Sequence, residues 1–253
     1  MRKQKVTTML LGPLYKRSSG FIEIHLTYRC NLKCFNCDVS CRQAPSDEDM
    51  RLGQVQKFIQ ESIDNNVCWE RIRLMGGEPT LHPQLYEVLN VLLDYKKKYS
   101  HTTEVVILTN GFGKTVQDIL KNLPEGVEVN NTAKQYPHQD FRRFNMAPVD
   151  SVLYQWADYT NGCSVISDCG IGLTPFGYYP CNIAGGIDRV FGFDKGRKKL
   201  PLRQDMMVDQ LKTFCRLCGH FRPPKLTNKE KMSSIWKKAY KKYKFVQPIL
   251  TPY

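Results

Sequence analysis

The chain has 253 residues, 42% hydrophobic and 24% charged, with ten cysteines and a net charge of +13. That composition excludes a disordered chain and suits one large domain, or one domain with a small appendage. No run approaches the roughly 18 apolar residues of a membrane helix, and the basic start, Met1 to Lys5, lacks the apolar stretch and cleavage site of a secretion signal, so a cytoplasmic protein without membrane contact is expected.

Phe21 to Leu26 alternates apolar and polar residues and reads as a strand leading into a cysteine loop, 30–41. Ser46, ahead of Asp47-Glu48-Asp49, reads as the N-cap of a helix with Leu52, Val55, Phe58, Ile59 and Ile63 on its apolar side. Arg71 to Met75 is a second strand, ending in Gly76-Gly77-Glu78-Pro79. Pro83 marks the first turn of the next helix, which carries Leu85, Val88, Leu89, Leu92 and Leu93 on one side. Val105 to Leu108 is apolar enough for a strand buried on both faces, and it ends at Thr109-Asn110-Gly111. A weaker helix (115–122) and strand (127–130) follow, then irregular chain over 131–150. Gly170 to Pro180 reads as a hairpin and the Gly- and Lys-rich 185–205 as a loop. Thr227-Asn228-Lys229-Glu230 reads as a capping box for a last helix with Met232, Ile235, Trp236, Ala239, Tyr240 and Tyr243 on one face.

Strand then helix, three times over, predicts an α/β fold: a parallel sheet with covering helices, open or barrel-like. Chemistry in such folds sits at the C-terminal strand ends. Here those ends carry the cysteine loop, Gly-Gly-Glu-Pro and Thr-Asn-Gly, which would converge on one pocket.

Cys30-x3-Cys34-x2-Cys37 is the sharpest signal. Three thiolates this close can hold a [4Fe–4S] cluster and leave its fourth iron open for another ligand. A structural zinc site wants four ligands, and Cys41 or His25 is available to complete one. At this point the sequence resembles the radical S-adenosylmethionine (SAM) enzymes, whose Cys-x3-Cys-x2-Cys signature follows the first strand of a partial (β/α)6 TIM-like barrel. Gly76-Gly77-Glu78-Pro79 matches the Gly-Gly-Glu-Pro motif after their second strand, and Thr109-Asn110 falls at the end of the third. The resemblance covers roughly residues 20–130. One departure is that Asn36, with Phe35 before it, stands where the family often has an aromatic residue just ahead of the third cysteine. The resemblance implies that the open iron chelates SAM, that the reduced cluster cleaves it to a 5′-deoxyadenosyl radical, and that the radical abstracts hydrogen from a substrate. Gly76, Gly77, Glu78, Pro79, Thr109, Asn110 and Asn36 would line the SAM site.

Cys163, Cys169, Cys181, Cys215 and Cys218 form a second group. Cys215-x2-Cys218 is a metal-site spacing, and Cys169 and Cys181 flank the expected hairpin. The pattern resembles the auxiliary-cluster appendage called a twitch domain, a relative of the SPASM domain, although Gly177 stands one residue nearer Cys181 than that motif has it. The expectation is an auxiliary [4Fe–4S] cluster on Cys169, Cys181, Cys215 and Cys218, with Cys163 the rival first ligand and a zinc ribbon the alternative. Three domains are expected: the barrel over 18–150, the hairpin-plus-helix auxiliary-cluster domain over 151–222, and a basic amphipathic C-terminal helix over 223–253. Cys41, Cys68 and Cys163 remain as candidate hydrogen-atom donors, with Cys68, beside Trp69, read as a small buried apolar residue.

The charge is concentrated at the ends: +5 over 1–17, +8 over 222–253 and zero between. A nucleic-acid-binding face would spread it over the body, so nucleic acid is not the expected partner. The flanking charge lies outside the expected active site: the C-terminal helix reads as docked on the body with its lysines in water, with contact to an acidic reductase, an anionic substrate or carrier, or nucleic acid as the alternative. The loop Gln135 to Asn145, with His138, Asp140, Arg142 and Arg143, offers groups suited to a polar or anionic substrate. The expected activity is a radical SAM oxidoreductase acting on a small polar substrate, such as a sugar, an aminoglycoside-like alcohol or a nucleotide-linked sugar. Oxidation or epimerisation would be assisted by the auxiliary cluster and fed by a flavodoxin- or ferredoxin-type electron donor. The alternatives are a maturase of ribosomally made peptides and a zinc-stabilised nucleic-acid-binding protein. With only about 20 residues ahead of the first strand, a peptide-recognition domain is not expected.

Overall fold

A computed structural model describes residues 3–135, 141–227 and 229–253. Helix α1 (Lys5–Leu11) precedes strand β1 (Phe21–Thr27). Then follow α2 (Leu52–Asp64), β2 (Arg71–Gly76), α3 (Leu85–Tyr99), β3 (Glu104–Thr109), α4 (Lys114–Lys121) and β4 (Val127–Asn131). The second half comprises β5 (Phe141–Arg142), α5 (Val165–Asp168), β6 (Ile171–Thr174), β7 (Gly177–Tyr179), α6 (Asn182–Phe191), α7 (Val208–Phe214), β8 (Leu226–Thr227) and α8 (Ser234–Tyr243).

One sheet runs β4-β3-β2-β1-β6-β7. β1 to β4 pair in parallel, and β6 lies parallel against β1, with Ile22 opposite both Ile72 and Ile171. β7 returns antiparallel to β6. This is the α/β, parallel-dominated sheet that the strand–helix alternation predicts. The hairpin 170–180 therefore extends the same sheet that carries the cysteine loop. A small separate ribbon pairs β5 with β8. Among the described residues, no helix is long and apolar enough to cross a membrane.

Ile22, Ile24 and Leu26 of β1 join Leu74, Ile107, Phe58, Leu89 and Leu92 in the core. The alternate residues of β1 are buried too, Glu23 at 4% exposure and His25 at 0%. Helix α6 covers that side: His25 Nδ1 lies 3.2 Å from Asn182 Oδ1. A second core holds Trp236, Phe144, Tyr179, Ile187 and Phe214, and docks α8 on the body. Its Lys237, Lys238, Lys241 and Lys242 face water, the usual arrangement for an amphipathic helix.

Several local expectations are corrected. The first long helix begins at Leu52, after Arg51, so Ser46 is not its cap. Residues 48–50 are held extended across the end of β1, where Tyr28 N donates to Glu48 O and Met50 N to Leu26 O. Pro83 precedes α3 rather than opening it. Thr227 lies in β8 and α8 starts only after Ser233, because the Asn36 side-chain amide clasps the backbone between. Asn36 Nδ2 donates to Lys229 O and Lys231 N donates to Asn36 Oδ1, each at 3.1 Å. Asn228, and the substrate-loop residues 136–140, lie outside the described residues. Residues 182–191 are helix rather than loop. The glycines there serve close packing: a Cβ on Gly185 would sit 2.4 Å from Thr174 Cγ2.

Candidate active site

The C-terminal ends of β1, β2 and β3 meet at the cysteine loop. Gly77 N donates to Thr27 O and Glu78 N to Arg29 O, at 2.7 and 2.8 Å, which lays the Gly-Gly-Glu-Pro turn against the chain entering Cys30. A Cβ on Gly77 would lie 2.1 Å from Arg29 O, so only glycine permits this approach. Glu78, fully buried, braces the third strand end. Its Oε1 accepts from Thr109 Oγ1 and Thr80 Oγ1, each at 2.8 Å, and from Thr80 N. Its Oε2 accepts from Asn110 N at 2.8 Å. Pro79 opens the short 3-10 turn that presents Thr80 N to this carboxylate. Asn110 completes the link, its Nδ2 donating to Asn31 Oδ1 at 2.8 Å and lying 3.9 Å from Cys30 Sγ.

Cys30, Cys34 and Cys37 lie partly buried along this loop. Burial pushes the Cys30 thiol up to about 12, and the neighbouring Cys37 and Cys34 add to the effect. Burial raises the Cys34 thiol as well, so Cys30 and Cys34 are poor thiolates until a cationic centre compensates them, and three cysteines gathered on one loop fit an iron–sulfur cluster. The Cys41 thiol donates to Cys37, lowering the pKa of Cys37 and raising its own. Asn36, buried and left-handed at φ 49°, fixes the turn between Cys34 and Cys37.

The second cysteine group divides. Cys163, Cys181, Cys215 and Cys218 line one apolar cavity with Ile183 and Phe214. Burial raises the pKa of all four thiols, and Cys181, Cys215 and Cys218 are each raised further by Cys163. Cys169 is not on that wall. Its thiol bonds the Glu23 carboxylate, itself paired with Arg73 at 2.8 Å. Among the described residues, no three His, Cys, Asp or Glu side chains converge closely enough to enclose a single metal ion. Cys68 is exposed rather than buried, because Trp69 takes the interior position, and it precedes β2 at the opposite end of the sheet from the cysteine loop. His82 is structural: Nε2 donates to Met50 O and Nδ1 accepts from Gln84 N.

Sequence reasoning missed Arg189, which is 2% exposed on α6. Its Nη1 donates to Tyr243 Oη at 2.7 Å, its Nη2 to Val39 O at 3.1 Å, and its guanidinium lies 4.1 Å from the Tyr28 ring centre. It thereby ties α6 and α8 to the cysteine loop. No local pattern marks it, since its partners are remote in sequence.

Residues 24–149 match the model of the radical SAM superfamily. The chain carries a radical SAM domain. That domain holds the three-cysteine loop, the Gly-Gly-Glu-Pro turn and the Thr-Asn-Gly strand end. The chain is 29% identical over 111 residues to the GTP 3′,8-cyclase of Campylobacter jejuni subsp. doylei, covering 43% of this chain and 32% of that protein. It is 32% identical over 95 residues to the probable GTP 3′,8-cyclase of Methanococcus maripaludis, covering 37% and 31%. The chain thus spans about a third of the length of these curated relatives. Among solved structures, BtrN in complex with AdoMet and 2-DOIA superposes with a TM-score of 0.44 at 15% identity, over 81% of this chain and 89% of BtrN. SuiB of Streptococcus suis bound to S-adenosylmethionine gives a TM-score of 0.30 at 19% identity, over 43% and 22%.

Proposed function

We propose that the protein is a radical SAM oxidoreductase acting on a small polar substrate, by net oxidation or epimerisation, with one auxiliary [4Fe–4S] cluster and an electron donor of the flavodoxin or ferredoxin type. The observation that carries this reading is the joining of three strand ends at Cys30 through Glu78 and Asn110. Cys30, Cys34 and Cys37 would hold the site cluster. When bound, that cluster supplies the electron that splits SAM into methionine and a 5′-deoxyadenosyl radical. Glu78 holds the Gly76-Gly77 turn and the Thr109-Asn110 strand end in fixed register, and these backbones would line the SAM pocket. Cys163 joins Cys181, Cys215 and Cys218 as the ligand set for the auxiliary cluster, because those four thiols share one wall. Cys169 would stay with Glu23. Anaerobic reconstitution followed by iron counting and SAM cleavage tests the reading. About eight irons and release of 5′-deoxyadenosine are expected, and a colourless zinc protein that leaves SAM intact would refute it.

A further inference from the structure

A cavity of about 770 Å³ adjoins the second thiol group. That is the size of a site for a whole small molecule of nucleotide scale. Its wall carries Lys3, Arg142, Arg143, Arg222, Lys225 and His220, and, among the described residues, no Asp or Glu. The two basic flanks, read from sequence as solvated, are folded together here: Lys3 comes from one and Arg222 and Lys225 from the other, while the β5–β8 ribbon adds Arg142 beside them. Among the described residues, none of the five Lys and Arg side chains lies within ion-pair distance of a carboxylate. Asp38, the carboxylate whose charge reaches Arg142, is paired with His220 at 3.3 Å. Arg143 Nε is buried without a hydrogen-bond partner among the described residues. Lys3 is held inward by Phe221, donating to its carbonyl and lying 4.5 Å from its ring centre. Burial lowers its pKa, so its ammonium lacks the solvation it would have in water.

Like charges gathered on a concave, partly desolvated wall repel one another unless an anion enters. Cys163 is on the cavity wall, and His220, also on it, lies 3.3 Å from Asp38, next to Cys37. We infer that this cavity is the substrate site and that its ligand is a phosphorylated small molecule, whose phosphate oxygens take charge-assisted bonds from Arg142, Arg143, Arg222, Lys225 and Lys3. Guanidinium groups suit phosphate because they offer paired donors in one plane. This inference rests on the radical SAM reading and names its substrate class.

Inorganic pyrophosphate is the probe, titrated calorimetrically into the anaerobically reconstituted protein. Binding with Kd below about 1 mM at low salt is expected, weakening as sodium chloride is raised. Arg142→Gln with Lys225→Gln, both exposed positions, should weaken it by about tenfold or more. Lys237→Gln with Lys238→Gln, on the solvent side of α8, should not. Absence of binding up to about 10 mM, equal binding by the cavity variant, or equal loss in the α8 variant would each overturn the assignment. Iron content and release of 5′-deoxyadenosine are read on the same preparations. Intact SAM cleavage without pyrophosphate binding refutes the phosphate site alone, whereas absent SAM cleavage refutes the reading beneath it.

Discussion

His220 Nε2 lies 3.3 Å from Asp38 Oδ2. Asp38 follows Cys37 and His220 stands two residues past Cys218, so this one pair couples the two thiol-bearing loops. Burial is the largest single influence and would raise the Asp38 carboxyl, but His220, Lys134 and Arg142 together outweigh it and the net shift is downward. The Asp38 side chain is 44% exposed, so solvent screens the pair and its worth is about 1 kcal/mol or less. A double-mutant cycle with Asp38→Asn and His220→Gln should show that coupling, and each variant should lose about 2–4 °C in Tm. A coupling several times larger would show that the pair is shut off from water.

Single Cys→Ser variants separate the two candidate ligands. Cys163→Ser, like Cys181→Ser, Cys215→Ser and Cys218→Ser, should lose about half the iron of the reconstituted protein. Cys169→Ser should keep it all, since its thiol faces Glu23. Iron assay and the visible absorbance of the reconstituted protein check this. Full iron in Cys163→Ser with half in Cys169→Ser would reverse the assignment.

Glu78→Gln tests the brace. Both carboxylate oxygens receive a fixed backbone N–H, Oε1 from Thr80 and Oε2 from Asn110. Whichever way the Gln amide is turned, its NH2 faces one of those donors. The expected cost is about 1–3 kcal/mol, a fall of several degrees in Tm, with weaker SAM binding because the Gly76-Gly77 turn loosens. Unchanged melting and SAM affinity would show that the carboxylate is not the brace.

His25 gives a signed pH dependence. Burial, followed by the nearby Arg189 charge, lowers its pKa from 6.5 to about 3. As pH falls below 6.5 the unfolded chain takes up this proton and the folded chain does not, so stability declines between pH 6.5 and about 3. The contribution is about 2 kcal/mol between pH 7 and pH 5. His25→Gln removes it, so Tm of the variant should fall less steeply than that of the wild type over that range. Equal slopes would mean that His25 can be protonated within the fold.

The strand ends and the first cysteine loop were legible in the sequence because each motif sits within its own strand–helix unit, where periodicity and spacing are local. The starts of α2 and α8 were not. Ser46 and Thr227 have the right cap chemistry, but distant partners, Leu26 O in one case and the Asn36 amide in the other, hold those segments extended. Gly185-Gly186 resembled a loop because low helix propensity is a local property, whereas the close approach to Thr174 that requires it is tertiary. That Cys163, and not Cys169, lines the cavity with Cys181, Cys215 and Cys218 is a tertiary fact that spacing does not carry. The basic flanks looked solvated for the same reason: only the fold brings Lys3 to Arg222 and Lys225.

The most direct test of the account is SAM cleavage by anaerobically reconstituted protein with a strong reductant, followed by chromatography. The wild type should release 5′-deoxyadenosine and methionine, and Cys34→Ala should release neither while remaining folded. Wild type that binds iron yet yields no 5′-deoxyadenosine, or Cys34→Ala that yields as much as wild type, would contradict the assignment of Cys30, Cys34 and Cys37 as the catalytic cluster site.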